Sequence, residues 1–136
     1  MTLSSPSGAP GSEGRTGRDG QRLPPAARVR RGRDIQRVLR SGSRISGSFV
    51  DVFAAPSPNH RPRIGVVVPR YGNTAVARNR VRRRLKEFAR REWMPMARSM
   101  GSDHDVILRA KPAAYGASYQ RLRDSLDAPM SDICAR

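Results

Sequence analysis

Eight basic residues fall between Arg78 and Arg91, and Glu87 is the one acid among them. Arginine in that density suits phosphate. The planar guanidinium presents paired N–H donors that match two phosphate oxygens, and it also stacks on bases. Arg78, Arg82 and Lys86 stand four apart, as do Arg80 and Arg84. Like charges at that spacing repel one another on a helix by a few tenths of a kcal/mol per pair. A bound polyanion removes that penalty. An anion-binding face is therefore the sharper reading, and a solvated helix face, normally of mixed sign, is the plainer one.

Other residue types offer little chemistry. His60 and His104 lie far apart in loop-like contexts, where histidine is usually solvated. Asp103 and Asp105 flank His104, a pattern commoner in turns than in metal sites. Glu87 and Glu92 sit among arginines and read as internal ion-pair partners. Neither a phosphate loop nor a paired-carboxylate nuclease cluster is legible. The expectation is a chain with no catalytic residue and no metal site of its own, assisting a reaction performed elsewhere.

The elements that position the arginines follow from periodicity. Ala77, Val81, Leu85 and Phe88 recur at helical spacing, with Glu92 the polar end of the stripe. At about 100° per residue, Arg78, Asn79, Arg82 and Lys86 share one flank, Arg80, Arg84 and Arg91 the other, and Arg83 and Arg90 the back. Asn73 or Thr74 caps this helix after the Tyr71-Gly72 turn; it runs to about Trp93, and Pro95 and Gly101 help stop it. Upstream, Ile35, Val38 and Leu39 give a short helix one apolar face. Ser48–Ala54 and Arg63–Val68 read as strands, as does Asp105–Arg109, and a further short strand around Arg44–Gly47 stays open. Ser118 caps a last helix with Tyr119, Leu122, Leu126 and Met130 buried, and a loose tail follows from Ser131. Phe49 and Phe53, four apart in a strand, share a face, as core or as base-stacking surface. Tyr71, in an exposed turn, is the better stacking candidate. A small sheet with helices on one face would bury every stripe, an α+β arrangement.

Composition sets the frame. The chain has 136 residues and a formal net charge of +16, with 27 basic residues of which Lys86 and Lys111 are the lysines. The arginine excess fits phosphate recognition and equally a genomic codon bias. Residues 1–22, rich in Gly, Ser and Pro, read as a disordered tail, and 23–130 as one ordered domain. Cys134 is the only cysteine, so no internal disulfide or zinc cluster can form, in keeping with a reducing cytosol. No apolar run suffices to span a membrane and no signal segment is evident. The expectation is a soluble, cytoplasmic protein. A basic balance of this size points to nucleic acid first; a membrane-surface helix is the weakest reading, since the apolar stripe is narrow.

The run from Gly65 through Gly72-Asn73 to Arg78-Asn79-Arg80 and Arg83 resembles the bacterial ribonuclease P protein family. Arg28 through Leu39 is similar to that family's first basic turn and helix, Gly42 through Phe53 to its strand approach, and Val106 through Pro112 to its late strand. The resemblance covers roughly residues 23 to 128. It implies a compact two-layer α/β sandwich, a small mixed sheet of about four strands with three helices and a left-handed βαβ crossover. It implies a subunit of an RNA-based endoribonuclease that binds the catalytic RNA and the 5′ leader of precursor tRNA. The magnesium ions that cut the leader are then held mainly by the RNA, with no small-molecule cofactor and no membrane partner. By motif position, Arg78, Asn79, Arg80, Arg82, Arg83 and Lys86 would face the catalytic RNA. Arg28, Arg31, Ile35, Leu39, Phe49, Val66 and Arg70 would border the leader. Ile35 and Leu39 stand where the family usually has aromatics, the turn has one basic residue before its glycine instead of two, and Gly72 comes one position early. The alternative is a non-catalytic basic RNA-binding protein of ribosomal or nucleoid type.

Overall fold

The computed structural model describes residues 23–135; the predicted tail, 1–22, lies outside the described residues. In chain order the elements are α1 (Gly32–Ser41), β1 (Ser43–Ser46), β2 (Val50–Pro56), β3 (Arg63–Val67), α2 (Ala75–Phe88), a π turn (Ala89–Trp93), α3 (Met94–Ser99), β4 (His104–Ala110) and α4 (Tyr119–Cys134). Single 3-10 turns occupy Pro25–Ala27 and Pro112–Gly116. The strand order is β1-β2-β4-β3. The pairs β1–β2 and β2–β4 are antiparallel, and β3–β4 is parallel. The parallel pair is joined by the crossover that carries α2 and α3, which is how the sheet comes to back the arginine helix. The open question at Arg44–Gly47 resolves as strand β1.

Alternation on the strands sends Val50, Val52 and Ala54 of β2, and Val106, Leu108 and Ala110 of β4, to one face. There they meet Val81, Leu85, Phe88, Trp93 and Met94 of the long helix, and Leu122, Leu126, Met130 and Ile133 of α4. The opposite face carries Phe53, Ala55 and Ile107, covered by Val29 and by Val38 of α1, with Ile35, Leu39 and Val67 at the margin. The expectation that all helices share one face therefore fails for α1. Its three apolar residues fix which side of the helix is buried, not which side of the sheet buries it.

Three further expectations change. The arginine helix does not stop near Trp93. The π turn inserts one residue, so the buried stripe passes through Ala89 and Trp93 while Glu92 faces solvent. Pro95 then falls in the first turn of α3, where its missing N–H costs little. The last helix does not end at Ser131; Ile133 and Cys134 continue its buried face. Phe49 precedes β2 instead of lying within it, so it packs with the helix-side core while Phe53 joins the cluster under α1. The capping of α4 is as expected: Ser118 Oγ accepts the Arg121 N–H at 3.2 Å.

Gly65 shows why a glycine sits mid-strand. A Cβ there would stand 2.7 Å from the carbonyl oxygen of Val29 and 2.9 Å from Ile107 Cδ1. Its absence lets residues 28–29 close onto the sheet edge, where the Val29 N–H donates to Ile64 O at 3.0 Å.

Candidate nucleic-acid interface

The arginine helix begins at a braced turn. Tyr71 and Gly72 both have left-handed backbone, with φ 51° and 82°, and the Asn73 N–H donates to Arg70 O at 2.9 Å. Two successive positive φ values mark a type I′ turn. Tyrosine adopts that region at a cost, and here its ring is held. Its hydroxyl donates to Ala110 O at 2.8 Å, and its ring meets that of Tyr115 edge-on at 6.3 Å. The Tyr115 hydroxyl in turn donates to Pro69 O at 2.7 Å. Tyr71 is thus a brace as well as an exposed ring. Thr74 is the cap, its Oγ1 accepting the Ala77 N–H at 3.1 Å, while Asn73 Nδ2 donates to Arg70 O. The displaced glycine of the turn is accommodated this way, with the I′ turn closing first and Thr74 starting the helix.

Not every arginine of the run is available to a ligand. Arg78 donates its Nε–H to Val68 O at 2.9 Å, and Arg84 donates to Ala117 O at 2.8 Å. Arg90 and Arg91 pair with Glu87. Arg80 and Arg83 are exposed and Arg82 half-buried, and among the described residues none of the three has a hydrogen bond or ion pair. Asn79 and Lys86 are exposed beside them. Of the six residues expected to face RNA, five therefore project outward from α2 and Arg78 is partly tied to the sheet.

Between α2 and the segment 23–30 runs an open groove of about 1020 Å³. Arg82, Arg83 and Lys86 line one wall, and Arg28, Ile35 and Val66 line the other. The groove thus joins residues expected to face the catalytic RNA to residues expected to border the leader. Arg28 is oriented by two bonds to Leu23 O, at 2.8 and 2.6 Å. Other leader candidates lie elsewhere. Leu39 packs under α1 on the far face. Phe49 lies beneath the Arg121 guanidinium, 5.2 Å from ring centroid to carbon. Arg70 is exposed in the turn, and Arg31 borders a neighbouring hollow.

Sequence reasoning missed Arg30 and Arg90, which also line the groove. Arg30 was visible as part of a basic segment, but no period assigned it a direction. Phe53, read from the sequence as core or as base-stacking surface, is buried on the sheet face that α1 covers, in the row Arg44–Phe53–Ile107–Gly65 across all four strands, with Arg44 over its ring at 5.9 Å.

Asp105 is fully buried on that face. Its carboxylate accepts from Arg63 Nε at 2.8 Å and Nη2 at 2.6 Å, and also from Arg37 of α1. That hydrogen bonding, more than the accompanying Coulomb attraction, raises the Arg63 pKa against the opposing effect of burial. A carboxylate engaged by two guanidiniums has no free oxygen for a cation. Among the described residues no group of three or more His, Cys, Asp or Glu could hold one.

A mixed sheet that carries an arginine-lined helix, with an open basic groove along it, defines a polyanion-binding α+β protein. No helix among the described residues is long and apolar enough to cross a membrane. The sequence profile of the Ribonuclease P family matches residues 23–133. A ribonuclease P protein component from Acidothermus cellulolyticus is 38% identical over 109 residues, covering 77% of this chain and 86% of the relative. One from Pseudarthrobacter chlorophenolicus is 33% identical over 110 residues, covering 80% and 78%. The structure of the Thermotoga maritima ribonuclease P protein superposes with a TM-score of 0.66 at 20% identity, covering 78% of this chain and 96% of that one. The Staphylococcus aureus protein superposes with 0.60 at 21%, covering 75% and 90%; both show the shared fold. The chain belongs to the ribonuclease P protein family and is a protein subunit of that ribonucleoprotein. The ribosomal or nucleoid alternative is not favoured.

Proposed function

We propose that this subunit sets the exposed side of α2 against the catalytic RNA and holds the 5′ leader of precursor tRNA in the groove beside it. The observation that carries the reading is the groove itself, where Arg82, Arg83 and Lys86 face Arg28, Ile35 and Val66 across one open channel. Arg80, Arg82 and Arg83, lacking partners among the described residues, neutralise phosphates and release counterions. Arg28, fixed through Leu23 O, orients the leader, and Ile35 offers it an aliphatic wall.

Magnesium is held mainly by the RNA in this reading. The chain contributes by lowering repulsion where RNA strands approach and by positioning the leader, with no covalent or proton-transfer role for its own residues. The compartment is the cytoplasm. The test is reconstitution of the chain with the cell's catalytic RNA, precursor tRNA and magnesium at near-physiological salt. Added protein should accelerate leader removal and lower the precursor concentration required. Cleavage indifferent to the protein would refute the reading.

A further inference from the structure

Asp105 and its two arginines have no part in the proposed function, yet they join three elements at one carboxylate. Arg37 comes from α1, Arg63 opens β3, and Asp105 lies fully buried in β4. Arg63 holds the carboxylate with Nε and Nη2, at 2.8 and 2.6 Å, and Arg37 Nη2 donates to Oδ2 as well. Arg37 Nη1 also donates to Pro56 O, at the end of β2, at 3.2 Å. A single α1 side chain thus bridges β2 and β4.

The rest of α1 is held lightly. Val38 is its one fully buried residue, and Ile35 and Leu39 are partly buried. Arg31, at the N-cap, gives the first turn no side-chain bond. The other end is tighter. A Cβ on Gly42 would stand 2.8 Å from Ala54 O, so the chain leaves α1 pressed against β2. Among the described residues, Arg37 alone bonds from an α1 side chain to the sheet. Without that bond the helix pivots about its close-packed C-terminal end. Its N-terminal half moves most, and that half carries Ile35 at the groove. Ile35 lies seven residues before Gly42, which is about 10 Å along the axis, so a tilt of about 10° shifts it by about 2 Å. Losing Arg37 does not orphan the buried charge, because Arg63 still offers Asp105 two donors.

We propose that Arg37 is a positioning residue for the leader: by sharing the Asp105 carboxylate with Arg63 it aims α1, and so sets Ile35 against the groove beside α2. This inference rests on the function proposed above.

The test uses holoenzyme assembled from the full chain and its catalytic RNA, with precursor tRNA and leaderless mature tRNA as ligands. Arg37→Ala should weaken precursor binding on the order of tenfold, within the roughly hundredfold that a misplacement of about 1 Å can cost. Mature tRNA and the catalytic RNA should bind the variant as they bind wild type. The log–log salt slope for the precursor should stay at the wild-type value, because no phosphate contact is lost; a slope lower by about 0.7 would make Arg37 a direct contact and overturn the proposal. Ile35→Ala should weaken the precursor too, and Arg37→Ala should add little to it, since the first residue acts through the second. Additive losses, equal loss on mature tRNA, weaker binding of the catalytic RNA, or unchanged precursor affinity would each overturn the proposal. Arg37→Ala and Arg37→Gln should both stay folded at the assay temperature, and unfolding of both there would show that Arg37 holds the fold instead of aiming α1. Wild-type protein that fails to stimulate leader removal would instead sink the underlying function, and this proposal with it.

Discussion

Arg78 donates its Nε–H to the main-chain carbonyl of Val68 at 2.9 Å, so the first arginine of the Arg-Asn-Arg triplet fastens α2 to the residue that follows β3. Arg78 therefore has a role in the fold, whereas its neighbour Arg80 is exposed and has no hydrogen bond or ion pair among the described residues. Arg78→Ala should lower unfolding stability by about 1.5–3 kcal/mol, the usual worth of a hydrogen bond that involves a charged group. Arg80→Ala should leave stability unchanged while weakening RNA. Denaturant titration of the two variants side by side checks this; equal stability would mean the Val68 bond is not formed in solution.

The stripe beneath the arginines should behave as core. Leu85→Ala or Phe88→Ala removes a buried side chain from between helix and sheet. Each should cost about 2–5 kcal/mol. A thermal melt that stayed at the wild-type midpoint would show that the helix packs in another phase.

Gly65 should resist any side chain. Gly65→Ala would push its Cβ into the Val29 carbonyl and Ile107. Residues 28–29 must then move off the sheet edge at a cost of about 1–3 kcal/mol. Arg28 would move with them, so precursor affinity should fall along with stability. Normal precursor binding in a destabilised Gly65→Ala protein would separate the edge contact from the leader site.

Alkaline pH should destabilise the fold. Burial pushes the Cys134 thiol and the Tyr119 hydroxyl upward, so both stay protonated in the folded chain after their unfolded counterparts ionise. Between the unfolded and folded pKa the native state binds more protons, and stability falls as pH rises past about 8.5, the ordinary thiol value. Denaturant midpoints at neutral and alkaline pH should diverge for wild type and less so for Cys134→Ala. Identical pH dependence in the two would remove Cys134 from the explanation.

Much of the fold was legible because burial on α2 and α4 repeats at helical spacing, as with Val81, Leu85 and Phe88, or Leu122, Leu126 and Met130. The misses have physical causes. The π turn is a one-residue insertion set by how Trp93 packs, and a period search reads it as the end of a helix. Ile133, three beyond Met130, did carry a signal that α4 continues. The Asp105 cluster joins residues 68 and 42 positions apart, which no local pattern reveals. In the site, charge density located α2, but it could not say that Arg78 and Arg84 are tied to carbonyls while Arg80 and Arg83 have no partner among the described residues. Phe49 was placed on one face with Phe53 by strand alternation, and alternation does not apply to a residue that precedes the strand.

The most direct test of the RNA-facing side of α2 is the salt dependence of catalytic-RNA binding by wild type, Arg80→Ala and Arg83→Ala. Each substitution should lower the log–log slope by about 0.7–0.9, the signature of one lost phosphate contact. Slopes that match wild type in both variants would mean that this side of the helix faces water, contradicting the account.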